Sequence, residues 1–76
     1  MKLNDLKIGK KARVKSINVC NDIKNRLNDL GLIEETIIEN VLESPSKKIH
    51  AYSFRNTLIA IRDIDSSNII IEGLND

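Results

Sequence analysis

Aromatic side chains are nearly missing from this chain of 76 residues, which has one Tyr, one Phe and no Trp. Single-stranded nucleic acid is bound on stacked aromatic platforms, and Tyr52 and Phe54 alone make a poor one. Cysteine is also scarce. The lone Cys20 excludes an internal disulfide, so nothing covalent staples the core, which fits a reducing compartment. Neither sign of charge dominates: 12 Lys and Arg face 11 Asp and Glu, for a net charge of +1. A protein that lives on phosphate backbones, or is anchored by a polybasic segment, needs a larger surplus. No apolar run approaches the roughly 18 residues of a transmembrane helix, so no direct membrane insertion is expected. The opening MKLNDLKIGKKARVK has no apolar stretch behind its lysines, so it does not read as a signal peptide. Lys2 in place of Gly excludes myristoylation. A cytoplasmic location is expected.

What is present describes a small folded unit. Hydrophobic residues make up 41% and charged residues 30%, a balance wrong for disorder. The length permits one domain over residues 1–76, with a thin core. Leu3, Leu6 and Ile8 are expected to fold onto that core, with Asn4 capping a brief turn and Gly9 punctuating before a strand. Lys11 to Ile17 alternates apolar and basic residues, the period of a half-buried strand, and the alternation slips at Ser16 and Ile17 as at a bulge. Asn21 to Leu30 reads as a helix. Asn21 suits the N-cap, Asp22 complements the dipole, and Ile23, Leu27 and Leu30 form one stripe. Gly31 then supplies the left-handed stop. Leu32 and Ile33 continue the apolar surface, and Glu34-Glu35 makes a polar corner.

Strand character returns at Thr36 to Glu43. A loop at Ser44 to Lys47 follows, with Pro45 fixing φ. Lys48 to Phe54 and Thr57 to Arg62 form a hairpin around Arg55-Asn56. Asp63 to Asn68 is a polar turn with Ile64 inward, and Ile69 to Glu72 is the last strand. Five short strands and one helix, with no spacing for parallel crossovers, point to a mainly β fold: a small, partly open antiparallel barrel with one inserted helix. The hairpin can face two ways, since a one-residue shift exchanges its faces. The register that buries both aromatics turns His50, Tyr52, Phe54, Ile59 and Ile61 inward. Leu58 and Ala60 then face out, as does Ile37.

Chemistry-bearing residues are few. Cys20 and His50 are too few for a structural zinc site, so no metal and no cofactor are expected. His50 reads as a partly buried strand residue rather than an iron ligand. Cys20 reads as a small residue before a helix cap rather than a reactive thiol, because Asp22 opposes thiolate formation. No catalytic residues are expected, since one His among many Ser is no triad and Gly9-Lys10-Lys11 lacks the preceding Gly of a phosphate loop. Lys7, Lys10, Lys11, Arg13 and Lys15 form a basic stretch that reads as the solvated face of an edge strand. Arg26 follows Asp22 by four residues, which suits a helical ion pair, and Arg is also enriched at binding hot spots.

Four pieces, in order, resemble the FeoA family. Leu3-x-x-Leu6-x-x-Gly9 with Ala12-x-Val14-x-x-Ile17 opens it, and Arg26-Leu27-x-x-Leu30-Gly31-Leu32 closes the helix. Ser44-Pro45 holds the central loop, and Ile59-Ala60-Ile61-Arg62 precedes Ile69-Ile70-Ile71. The resemblance runs from Leu3 to about Ile71. It implies an SH3-like barrel without catalysis of its own, an accessory of ferrous iron uptake acting on the cytosolic G domain of the membrane transporter FeoB. The same fold occurs in metal-dependent repressors, but the helix-turn-helix of a full repressor is missing here. Departures fall at Glu34-Glu35, where many members have Pro-Gly, and at Asn56, where Gly is common. Others are Ile37 and Leu58, commonly polar, and Asn40, commonly apolar. Ile37 and Leu58, as outward apolar side chains, and Arg26, as a residue type enriched at hot spots, are the candidate partner-binding residues, for docking or weak self-association. The competing readings are a nucleic-acid-binding small barrel, opposed by the charge balance and scarce aromatics, and a metal-responsive regulatory SH3-like module.

Overall fold

The computed structural model describes residues 1–74. A 3₁₀ turn at Leu3–Asp5 precedes strand β1, Lys11–Ile17, and helix α1, Asn21–Asp29. Strands β2, Ile37–Glu43, β3, Ile49–Phe54, and β4, Thr57–Arg62, form a meander. One helical turn, α2 at Asp63–Ser66, leads to β5, Ile69–Gly73. All pairings are antiparallel and the sheet order is β4-β3-β2-β1-β5. Inward residues of all five strands join Leu3, Leu6, Leu27 and Leu32 in one core, so the sheet curls on itself as a barrel does.

Alternation decides which face each strand buries. Ala12, Val14 and Ile17 point in from β1, and the slip after Val14 is a register shift against β5 between Val14 and Ser16. The β3–β4 register pairs His50 with Ile61, Tyr52 with Ile59 and Phe54 with Thr57, so both aromatics are buried and Leu58 and Ala60 face out. Arg55 and Asn56 make the two-residue turn with φ of 48° and 63°. Both residues are thus left-handed, the geometry that matches the twist of a tight hairpin.

At the helix end, Gly31 has φ 100°. Its N–H donates to the Asn28 carbonyl at 3.0 Å, and the Leu32 N–H donates to Leu27 at 2.9 Å, a Schellman closure that leads Leu32 into the core. The corner that follows is built on Glu35, at φ 74°, a position where glycine would sit without strain. Thr36 is buried just ahead of β2. Its hydroxyl accepts from the Ile33 N–H and donates to the Gly31 carbonyl.

Several expectations need correction. Cys20, not Asn21, is the N-cap residue, and it makes no side-chain cap bond. Asn21 is the first helical residue, because Cys20 still has extended backbone at φ −62° and ψ 156°. Leu30 lies on the exposed side of the helix end. Ile33 is exposed too, since the turn at Gly31 aims only Leu32 inward. Ile8 is 54% exposed on a turn, and Ile64 is 62% exposed because α2 is too short to offer two faces to the core. Asn4 lies within the 3₁₀ turn rather than capping it, and its amide donates to Asp63 Oδ1 at 3.3 Å. Finally, β1 is not an edge strand: β2 and β5 pair with it on both sides.

Candidate docking surface

The outer face of β2, β3 and β4 follows from the registers. Glu39, Ser53 and Leu58 form one row across the strands, and Leu42, Ala51 and Ala60 form the next. Ile49, opposite Arg62, begins a third. Leu58 is 61% and Leu42 59% exposed, while Ile37 and Ile49 are also well exposed. Ile37 stands at the margin of this apolar face, beside Arg13 of β1. The structure therefore brings Ile37 and Leu58 onto one face, two strands apart. Leu42 and Ile49 extend that face and were not singled out from the sequence. The bulge between Asn40 and Leu42 reverses the alternation of β2 and turns Leu42 outward.

Arg26 lies elsewhere. With Ile23 and Leu27 of α1 it lines a groove of about 250 Å³ against Ile59 to Arg62 and Asp65. Its expected partner Asp22 makes no ion pair with it among the described residues. The Arg26 guanidinium is thus exposed beside the far side of β4. Ala60 borders both this groove and the apolar face.

A charged ladder bounds the other margin. Lys15 Nζ donates to Glu35 Oε1 at 2.9 Å and lies 3.8 Å from Glu72, while Arg13 is 3.7 Å from Glu35. The hydrogen bond to Glu35 raises the Lys15 pKa above its ordinary value, and the Lys15 ammonium holds the Glu35 carboxyl below the usual range.

Beneath the face sits a partly buried polar cluster. His50 is 3% exposed. Its Nε2 lies 2.9 Å from Asp63 Oδ1, and Nδ1 lies 3.7 Å from Glu43 Oε1 without a hydrogen-bond partner. The hydrogen bond from His50, with that from Asn4, holds the Asp63 carboxyl below its ordinary value. The Tyr52 hydroxyl donates to Ser66 Oγ at 3.3 Å, and burial of the phenol pushes its pKa up to about 12. These bonds fasten the 3₁₀ turn and α2 to β3. Cys20 is exposed at the helix start. Among the described residues, no group of three or more His, Cys, Asp or Glu side chains has the geometry to hold a metal ion.

The FeoA domain model matches residues 1–73. The chain belongs to the FeoA family. A Campylobacter jejuni relative, provisionally named Fe(2+) transport protein A, is 35% identical over 71 residues, which cover 93% of this chain and 82% of that protein. The solution structure of a FeoA protein from Chlorobium tepidum superimposes with a TM-score of 0.95 at 27% identity, covering 99% of this chain and 71% of that one. A Stenotrophomonas maltophilia FeoA, described as a prokaryotic SH3 domain protein, has a TM-score of 0.80 at 24% identity over 95% of this chain and 89% of that one. The SH3-like barrel is thus common ground between this FeoA chain and its relatives. No helix among the described residues is long and apolar enough to cross a membrane.

Proposed function

We propose that this FeoA-family chain acts over residues 1–76 as one accessory domain of ferrous iron uptake, by docking on the cytosolic G domain of a FeoB-type transporter. The observation that carries this reading is the exposed apolar face of the β2–β4 meander. Four large aliphatic side chains, Ile37, Leu42, Ile49 and Leu58, stand in water on a chain whose core is small. Burying such a face against a partner is favourable in proportion to the area removed from water. Arg26, free of its helical partner at the β4 groove, adds an anchoring charge of the kind enriched at interfaces. Docking changes the transporter only if it binds one nucleotide state of the G domain more tightly than another.

The paired variant Ile37→Ser and Leu58→Ser tests this reading. Both side chains are exposed, so the thermal midpoint should stay within a few degrees. Capture by the immobilised G domain, loaded in turn with guanosine di- and triphosphate, should fall at least about tenfold, the equivalent of roughly one buried aliphatic side chain. Undiminished capture by a folded variant would remove the face from the interface.

A further inference from the structure

The turn from Lys7 to Lys11 carries residues that neither the core nor the apolar face uses. Its Ile8 has the spacing of a core residue but is 54% exposed. Its lysines suit an edge strand, yet β1 is enclosed between β2 and β5. Of the five basic residues from Lys7 to Lys15, Arg13 and Lys15 are accounted for by Glu35 and Glu72. Lys7, Lys10 and Lys11 form no ion pair among the described residues, and they line one open groove with Met1, Leu6 and Asp5. Among the described residues, the half-buried Glu39 stands opposite Lys11 in the strand register.

The turn is fastened from below. The Gly9 N–H donates to the Asn40 carbonyl at 2.7 Å, the Asn40 N–H donates to the Lys10 carbonyl at 3.2 Å, and the Lys10 N–H donates to Lys7 at 3.0 Å. The Asn40 side-chain amide donates to the Leu6 carbonyl at 2.7 Å. Gly9 takes φ 84° at the corner. Ile8 is therefore held exposed on a pinned turn between Lys7 and Lys10, and the exposed Met1 lines the adjoining groove.

That combination selects its occupant. A nucleic acid would satisfy the ammonium groups and leave Ile8 in water, and an acidic polypeptide would bury it only by offering a pocket matched to the turn. At an anionic lipid surface the lysines meet headgroup phosphates, while a short apolar wedge reaches the acyl boundary below them. We infer that the Lys7–Lys11 turn is a peripheral membrane-docking element that takes anionic phospholipid headgroups, its local cluster of three lysines supplying the attraction that the net charge of +1 does not. It goes beyond contact with a transporter and does not depend on it.

Sedimentation with vesicles tests the inference without any partner protein present. The full chain should pellet with phosphatidylcholine vesicles containing phosphatidylglycerol and not with phosphatidylcholine alone, and added salt should release it. Each lysine near the surface strengthens partition about fivefold, so Lys10→Glu with Lys11→Glu should weaken it at least about twenty-fivefold. Ile8→Ser should weaken it about fivefold. Both variants should keep the thermal midpoint of the parent chain, since the altered side chains are exposed. Failure to pellet with anionic vesicles, or equal pelleting with neutral ones, overturns the inference. So does an Ile8→Ser variant that pellets like the parent while a DNA duplex competes fully for the lysines, because the turn is then a general anion surface. A chain that binds vesicles but not the G domain would overturn the docking reading and leave this one standing.

Discussion

Two backbone positions set the corner between α1 and β2, and they meet the same demand differently. Gly31 has no Cβ, so its φ of 100° costs little. A Cβ added there would lie 3.5 Å from Arg55 Cδ, an ordinary contact, so strain and not crowding governs substitution. Gly31→Val should lower stability by about 1–3 kcal/mol, read as a lower urea midpoint with unchanged slope. Glu35 adopts φ 74° with a full side chain. Left-handed backbone costs a non-glycine residue about 1 kcal/mol. Among the described residues, the return is the exposed ion pairs of its carboxylate with Lys15 and, at 3.7 Å, with Arg13. Glu35→Gly should therefore be neutral or mildly stabilising in the same titration, and it should return the Lys15 pKa toward its ordinary value by NMR.

At the scale of elements, α1 starts without a side-chain cap. Its N-cap is Cys20, whose side chain accepts no bond from the first turn, and the exposed thiol has no other partner among the described residues. Cys20→Asp should raise stability by about 0.5–1 kcal/mol, because a carboxylate accepts from the free N–H groups and complements the dipole. A melting temperature that does not rise would show that some other constraint fixes the helix start. The start was also misread in the sequence by one residue, because Asn21 is the better capping type and cap chemistry is blind to tertiary path. Strands were more legible. The alternation of Lys11 to Ile17 and the burial of Tyr52 with Phe54 specify their faces unaided. Bulges were less so: the register shift after Asn40 turns Leu42 outward, and no residue type at Val41 announces it. Ile8 and Ile64 were misassigned because spacing from one leucine to the next does not reveal that a turn ends before the apolar residue is reached.

For the molecule as a whole, the His50–Asp63 bond makes stability depend on acid. The Asp63 carboxyl has a folded pKa below the unfolded value near 3.8. Such a group adds stability above the unfolded value, and the addition is lost as pH falls through the folded one. The chain should therefore lose stability as pH falls below about 4 and on through the lower folded value, and Asp63→Asn should flatten that slope while lowering stability at neutral pH. A denaturant midpoint with the same acid slope in both proteins would show that other carboxylates carry the effect. This cluster was beyond the reach of the sequence, since Asn4, His50 and Asp63 are joined only when the 3₁₀ turn folds across β3. The apolar face was half legible: the hairpin register exposes Leu58, but only the paired strands show Leu42 and Ile49 beside it.

The central place of β1 also bears on the order in which a ribosome delivers the parts. Strands β2, β3 and β4 are joined by short connections and can pair as soon as each is made. The strand between β2 and β5 is synthesised first but completed last: Ile17 waits for Ile69, and Val14 for Ile71. Pairings between such distant stretches form slowly. Until then β1 has one side open, with Val14 and Ile17 in reach of any other nascent strand. A message cut short before Ile69 would release a meander with that side permanently unpaired, a product suited to aggregation rather than partial activity.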